Sequence, residues 1–424
     1  MKHQRDCVEI WLDASFLDKA EKVGVLFCDR GHFSFAYEES WLKSDHKFNI
    51  DPALGLYLNE QPAQDDFGIF TDSAPDRWGR VLMDRREVVD AKTEGRNIRA
   101  LYEWDYLLGV QDETRMGAIR LRKDDQFIDN SELGAPPITS LAELQNVARL
   151  LENEDEDNLP SLKAWLAMLV APGTSLGGAR PKANFRNTDG SLWIAKFPKQ
   201  DDKEDIGLWE GITFELAKNC GIRVPEFRIV KINGNHHTFL VKRFDRTNDR
   251  RVMFVSAMTM LQKKDGQEGS YLDIAEFLQD NGKEGIDEEM KELWRRMVFN
   301  VMVSNRDDHL RNHGFIRDAQ GWYLSPAYDL NPNKAKANHS INLNFNSSEP
   351  SLDVLFEAID FLRLDWGSAA EIAKQVHQSL SAWRDVAKTF SAKNMQIDLM
   401  SPAFKMADEP LVLPEKPKSK RRLR

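Results

Sequence analysis

From Val8 to about Arg122, apolar and polar positions alternate in short runs separated by turn residues, the pattern of strands buried on one face. Val23-Gly-Val-Leu-Phe-Cys28 and Phe33-Ser-Phe-Ala-Tyr37 flank Asp29-Arg-Gly31, and Phe33, Phe35 and Tyr37 fall on one side of a period-two strand. A hairpin is the simplest prediction. Asp72-Ser73 ahead of Pro75 reads as a helix start that Trp78, Val81 and Leu82 continue at helical spacing. Ser140-Leu-Ala-Glu143 has capping-box form and predicts a helix running into the acidic stretch Glu152–Asn158, read as a solvated connector with a boundary nearby.

The middle of the chain predicts a short helix ending at Ala171-Pro-Gly173, a glycine-rich stretch from Gly173 to Lys182, and strands over Lys182–Phe185 and Ser191–Phe197. A helix from about Gly207 to Asn219 follows, then strands Phe227–Ile232 and Thr238–Phe244 around an Asn233-Gly-Asn235 turn. Beyond Phe244 the pattern turns helical. Ser270 caps a helix through Leu278, and Met290, Leu293, Trp294, Met297, Val298, Val301 and Met302 form an apolar stripe wide enough to be buried, on a long helix stopping at Asn305. Two short strands, Gly314–Ile316 and Trp322–Leu324, precede helices at about Asp353–Leu362 and Ser368–Phe390. The basic, Pro-rich end from Pro414 to Arg424 is expected to be disordered.

Composition narrows the class. With 41% hydrophobic residues, 23 Phe and 11 Trp in 424 residues, the chain can bury two or three domain cores. No apolar run reaches the roughly 18 residues of a membrane span. The opening MKHQRDCVEIWLDAS lacks the basic start and continuous apolar block of a secretory signal, and Cys7, Cys28 and Cys220 form no close-spaced pair. The expectation is a soluble, cytoplasmic protein without disulfides. A net charge of −10 disfavours nucleic acid as the ligand of the whole surface.

The candidate chemistry lies in five places. Asp307 and Asn312, in Asn305-Arg-Asp-Asp-His-Leu-Arg-Asn312, repeat the spacing of base and metal-binding amide in the kinase loop H-R-D-x-x-x-x-N, and Arg306 stands where that loop has Arg. Phosphoryl transfer needs such a pair: a carboxylate to orient the acceptor hydroxyl and take its proton, and an amide oxygen to help hold Mg²⁺. Asp329, in Ser325-Pro-Ala-Tyr-Asp-Leu-Asn-Pro332, follows a strand pair as the Mg²⁺-binding Asp of D-F-G does, with Leu330 in place of Phe. Lys196 sits on an alternating strand after the glycine loop, where a lysine reaches nucleotide phosphates. Glu210 on the next helix is the candidate for orienting it, with Glu215 as competitor. The glycines at 173, 177 and 178 let backbone N–H groups approach phosphate oxygens, and Arg180 and Lys182 add positive charge. Thr174 and Ser175 place hydroxyls in the same loop.

The order glycine loop, strand Lys, helix Glu, base Asp with Asn, then metal Asp resembles the HipA-type serine/threonine kinases, toxins of bacterial type II toxin–antitoxin modules. The resemblance runs through Phe67–Arg80, Ser175–Lys182, Leu240–Arg246, Asn305–Asn312 and Ser325–Pro332. It implies an α+β, two-lobed protein-kinase-like fold with an extra β-rich N-terminal subdomain and a mainly helical C-terminal lobe. The expected divisions are 1–130 for the β-rich subdomain, 131–245 for the rest of the N-lobe, 246–405 for the C-lobe and 406–424 for a basic tail. It further implies ATP and Mg²⁺ as cofactors. Asp307 becomes the catalytic base and Asn312 and Asp329 the Mg²⁺ ligands. On the nucleotide side the resemblance places Gly177, Gly178, Ala179, Arg180, Lys182, Lys196, Lys242, Arg243, Phe244, His309 and Tyr328, together with Asn312 and Asp329. Some members have Glu where Lys242 stands, so adenine-side contacts there are expected from the backbone. Ser175 matches a loop serine whose autophosphorylation silences such kinases, and a phosphoserine would add about −2 charge where ATP phosphates belong.

As substrate the resemblance implies a protein of translation, such as an aminoacyl-tRNA synthetase. As partner it implies a HipB-like helix-turn-helix antitoxin, with DNA reached only through that antitoxin and no membrane involved. Two other readings share part of this pattern: a small-molecule phosphotransferase of the aminoglycoside kinase kind, and a non-catalytic nucleotide-binding co-repressor. A metal-hydrolase reading through His309 and His313, with Asp307 or Asp308, lacks the glutamate of H-E-x-x-H.

Overall fold

Alternation builds the first sheet. A computed structural model describes residues 5–128, 135–152, 180–247 and 250–416. In it Asp6–Leu12 (β1), Glu21–Asp29 (β2) and His32–Tyr37 (β3) pair antiparallel, with Asp29 opposite His32 across the predicted hairpin. Both residues of the connection have positive φ, 51° at Arg30 and 86° at Gly31, which gives the turn the twist a hairpin needs. Val8, Ile10 and Leu12 are buried together, and Gly24 is required because a Cβ there would strike the Ala36 carbonyl and the Phe35 ring. Gln61–Pro62 (β4), Ile119–Lys123 (β5) and Gln126–Phe127 (β6) complete the order β4-β3-β2-β1-β5-β6.

Between β4 and β5 the chain is helical, but not where Asp72-Ser73 placed the start. Asp72 lies near the end of the helix Gly68–Ser73, and Arg77–Glu94 (α1) begins after Asp76, whose carboxylate accepts from the Gly79 N–H at 2.8 Å. Asp72 is instead bound to Ser256, accepting from its N–H at 2.7 Å and its hydroxyl at 2.8 Å. Burial pushes the Asp72 carboxyl up to about 6 despite those bonds. The helix Leu141–Leu151 (α2) forms, without the capping box. A 3₁₀ turn over Ile138–Ser140 runs straight into it, so Ser140 is already helical and makes no side-chain cap.

The second sheet is the scaffold of interest. Lys182–Arg186 (β7), Leu192–Lys196 (β8), Phe227–Val230 (β9) and Thr238–Lys242 (β10) run in the order β7-β8-β10-β9. Trp78 and Leu82 of α1 and Leu144, Val147 and Leu151 of α2 pack against Phe185, Trp193, Ala195 and Leu240. Each large side chain buried there contributes roughly 1.5–3 kcal/mol. Met253–Ser256, Gly314–Arg317 and Trp322–Leu324 form a small third sheet.

The chain divides into two compact units. The first comprises Met1–Gly211, Pro225–Asp265 and Arg311–Ser325; the second comprises Ile212–Val224, Gly266–Leu310 and Pro326–Arg424. In the second, Tyr271–Asn281 (α4) starts with the expected cap, Ser270 and Asp273 bonding reciprocally. Ile286–Met302 (α5), whose apolar stripe is fully buried, packs against Trp366–Leu380 (α6), and Trp294 donates its indole N–H to the Ala369 carbonyl at 3.0 Å. The helix expected at 353–362 is confined to Leu352–Phe356. The one expected at 368–390 is two, because the chain turns between Leu380 and Trp383. No helix among the described residues is long and apolar enough to cross a membrane. The expected helix ending at Ala171, the connector beyond Glu152 and the end of the basic tail lie outside the described residues.

Candidate active site

β8 alternates so that Trp193 and Ala195 face the α1/α2 core while Lys196 sits at its end. The helix Ile206–Asn219 (α3) begins beside it. Asp205 accepts from the Leu208 N–H and from the His237 N–H, which pins the helix start to the β9–β10 connection. Lys196 Nζ donates to Glu210 Oε1 at 2.6 Å, with the Glu210 side chain 2% exposed and that of Lys196 18%. Glu215, on a more exposed face, lies 3.8 Å from Lys218 instead. Helical phase alone left these two carboxylates open; tertiary packing selects Glu210 as the lysine's partner.

The other charged candidates of the first unit have structural partners. Lys182 is buried and paired with buried Asp76, and Arg180 makes a two-pronged ion pair with Asp202 at 2.7 and 2.8 Å. Lys242 lies 3.7 Å from Glu226, and its side chain is 38% exposed. Arg243 points inward. Its guanidinium bonds Asp245 at 2.6 and 2.8 Å, Asn184 at 3.1 Å and the Thr114 carbonyl at 2.6 Å. Phe244 packs edge-on against Phe254. Asn312 is buried at the end of the turn Leu310–Asn312, just ahead of the third sheet. Ser175, Thr174, Gly177, Gly178 and Ala179 lie outside the described residues.

The second unit holds the carboxylates. After α5, Ser304 takes a left-handed conformation (φ 53°), and the Asn305 N–H bonds back to the Asn300 carbonyl, which ends the helix before Asn305. Asp307 emerges with its side chain 61% exposed, paired with Lys336. The adjacent Asp308 turns inward, accepting from the Tyr271 hydroxyl and from Asn300 Nδ2 at 3.2 Å. Burial and the Asp308 charge push the Tyr271 phenol well above its ordinary range. Asn305 links this segment to the next: its Nδ2 donates to Asn300 Oδ1 at 3.1 Å, and its Oδ1 accepts from the Asn331 N–H at 3.3 Å. Asp329 has φ 57°, a conformation that costs a non-glycine residue about 1–2 kcal/mol and clusters at functional sites. Tyr328 is buried beside it. Nδ1 of His309 is buried without a hydrogen-bond partner among the described residues.

Sequence reading gave Tyr271, Asn300, Lys336 and His339 no role, and named Asp308 only as an alternative carboxylate beside His309 and His313. Only Asp308 carries a signal, its place inside the charged loop. His339 is 5% exposed, and burial pushes its ring down to about 4, against the pull of nearby Asp308. A histidine with a folded pKa below its unfolded 6.5 contributes stability that is present above about 6.5 and lost as pH falls toward 4. His339→Gln is therefore expected to lose roughly 2 kcal/mol less than the parent between pH 7 and pH 5 in urea unfolding. Equal losses contradict this assignment.

Asn312 and Asp329 offer an amide and a carboxylate oxygen, the hard donors Mg²⁺ takes alongside water and phosphate. No group of three or more His, Cys, Asp or Glu side chains among the described residues is placed to hold a metal.

Comparison with known proteins places these features in a class. The HipA-like C-terminal domain model matches residues 174–390, just over half of the sequence, and the chain belongs to that family. Y4dM of Sinorhizobium fredii, whose kinase designation is provisional, is 31% identical over 156 residues, covering 33% of this chain and 37% of that protein. The serine/threonine-protein kinase toxin HipA of Shewanella oneidensis is 25% identical over 187 residues, covering 38% of this chain and 43% of its own. The matched regions thus span less than half the length of these relatives. The solved complex of Shewanella oneidensis HipA with HipB and operator DNA shares the fold. Its matching chain has a TM-score of 0.66 at 16% identity and covers 95% of this chain and 96% of that one, and the fold is accordingly α+β and kinase-like.

Proposed function

We propose that this chain is an ATP- and Mg²⁺-dependent serine/threonine kinase of the HipA type. The observation that carries the reading is the Lys196–Glu210 ion pair, in a chain that belongs to the HipA-like family. The lysine, oriented by a buried carboxylate, neutralises nucleotide phosphates. Asp307 orients the acceptor hydroxyl and takes its proton, while the connector Lys242–Phe244 meets the adenine through its backbone. Asn312 and Asp329 hold Mg²⁺, which when bound offsets the charge developing on the phosphates. Residues 177–182 are the proposed phosphate loop, and phosphorylation of Ser175 silences the enzyme by placing negative charge beside it.

The reading extends to partners. The Shewanella oneidensis protein was solved with HipB and operator DNA, and we assign to this chain a comparable helix-turn-helix antitoxin, with DNA engaged through it. A protein of translation, such as an aminoacyl-tRNA synthetase, is the proposed substrate, and the cytoplasm the proposed location.

Lys196→Ala is expected to lower phosphate transfer from ATP by about 10²–10³-fold, the size of a lost electrostatic contact to the reacting group. Glu210→Gln should lower it in the same direction. Transfer rates in both variants equal to the parent's would remove the observation on which the reading rests.

A further inference from the structure

One ammonium group in the second unit serves two oxygens. Lys336 Nζ donates to Asp307 Oδ1 and to Ser340 Oγ, the latter at 2.9 Å. Two hydrogen bonds from one nitrogen hold the hydroxyl within about 6 Å of the carboxylate. Main-chain bonds fix this placement: Asn333 N–H to the Ser304 carbonyl at 2.8 Å, and Ser340 N–H to the Arg306 carbonyl at 3.1 Å. The Ser340 hydroxyl donates to that same carbonyl at 3.1 Å, and the residue is exposed. Between Asp329 and Asn346 no other serine or threonine occurs. Arg306 bonds the Lys336 carbonyl, while its buried Nε has no hydrogen-bond partner among the described residues.

We propose that Ser340 is a phosphoacceptor modified by this chain's own kinase activity, and that Lys336 and Arg306 bind the resulting phosphate. The proposal rests on the kinase reading above. In the transfer, Ser340 Oγ bonds to the γ-phosphorus of ATP, the bond from that phosphorus to the β,γ-bridging oxygen breaks, ADP leaves, and the hydroxyl proton passes to the Asp307 carboxylate. The new group carries about −2 charge beside two cations, one with an unused N–H. It draws Lys336 off Asp307, and that ion pair no longer stands between the base and a second substrate. An exposed ion pair of this kind is worth up to about 1 kcal/mol, so release is expected to raise transfer to an exogenous acceptor about two- to fivefold.

The test uses full-length Ser175→Ala protein, stripped by phosphatase and incubated with Mg-ATP, with the phosphate located by fragmentation of the peptide that follows Lys336. One phosphate on Ser340, absent from the Asp307→Asn and Ser340→Ala versions, is the expected result, and Lys336→Met is expected to show the raised exogenous rate without modification. If the Ser175-containing parent gains phosphate at Ser175 while Ser340 stays unmodified, or if Ser347, Ser348 or Ser351 is labelled instead, the inference is overturned and the kinase reading stands. If no peptide of the parent gains phosphate, both fall together. A Lys336→Met protein slower than the parent overturns the release step.

Discussion

Asp307→Asn is expected to reduce phosphoryl transfer by about 10²–10⁴-fold, the range of a lost general base, without unfolding the protein. The substitution removes one proton-accepting oxygen and leaves shape unchanged. Its side chain is 61% exposed and its ion-pair partner Lys336 is 44% exposed, so the pair contributes little to stability. A melting temperature within about 2 °C of the parent is the corresponding expectation. Asp308→Asn makes the contrast. That carboxylate is 2% exposed and accepts from Tyr271 and Asn300, so its loss should appear first in stability. Transfer rates and melting curves measured side by side decide the matter. A fully active Asp307→Asn protein would mean that the base is elsewhere.

The largest effect on folding is expected at Asp245. Its carboxylate is fully buried and accepts from Arg243, from Arg246 at 2.7 Å and from the Gly117 N–H at 2.8 Å. Burial alone would push the carboxyl up, but Arg243 and Arg246 outweigh it and hold the group well below the usual carboxylate range. The folded pKa is depressed, so the stabilisation is present above the unfolded value near 3.9 and lost as pH falls through the folded value. Asp245→Asn keeps the shape and strands two buried guanidinium groups, at a cost of about 3–5 kcal/mol in urea unfolding at neutral pH. The lesion should reach the N-terminal β-rich region, because Arg243 and Arg246 also bond the carbonyls of Glu113, Thr114 and Arg115. A loss below about 1 kcal/mol would show that these arginines find other partners.

Much of the scaffold was legible because it is local. The β2–β3 hairpin follows from alternation and a turn that tolerates positive φ, and the strand pair, helix, strand pair of the second sheet follows from period and punctuation. The buried stripe of α5 was equally plain in its spacing. Misreadings occurred where a residue's partner is far away in sequence or where the neighbouring backbone took an unexpected turn. Asp72 has the composition of a helix cap, yet its partner is Ser256, so the cap fell to Asp76. Ser140 has the capping-box form, but a preceding 3₁₀ turn makes its backbone helical. The partners of Arg243 were equally hidden, since its guanidinium reaches Asn184 and the Thr114 carbonyl as well as Asp245. Sequence spacing narrowed the lysine's partner to Glu210 or Glu215, and only the packing of α3 against β8 could choose. Lys336 had no signal at all, because no motif marks a lysine that folds back onto a loop 29 positions earlier.

The central claim is that this chain transfers phosphate from ATP to a hydroxyl through Asp307. Its most direct test is the intact and peptide mass of purified, unmodified protein after incubation with Mg-ATP, beside Asp307→Asn and Ser175→Ala versions. The account predicts phosphate on the Ser175 peptide of the parent and none on that peptide in either variant. Parent protein that binds ATP yet gains no phosphate, or an Asp307→Asn protein that gains as much as the parent, would contradict it.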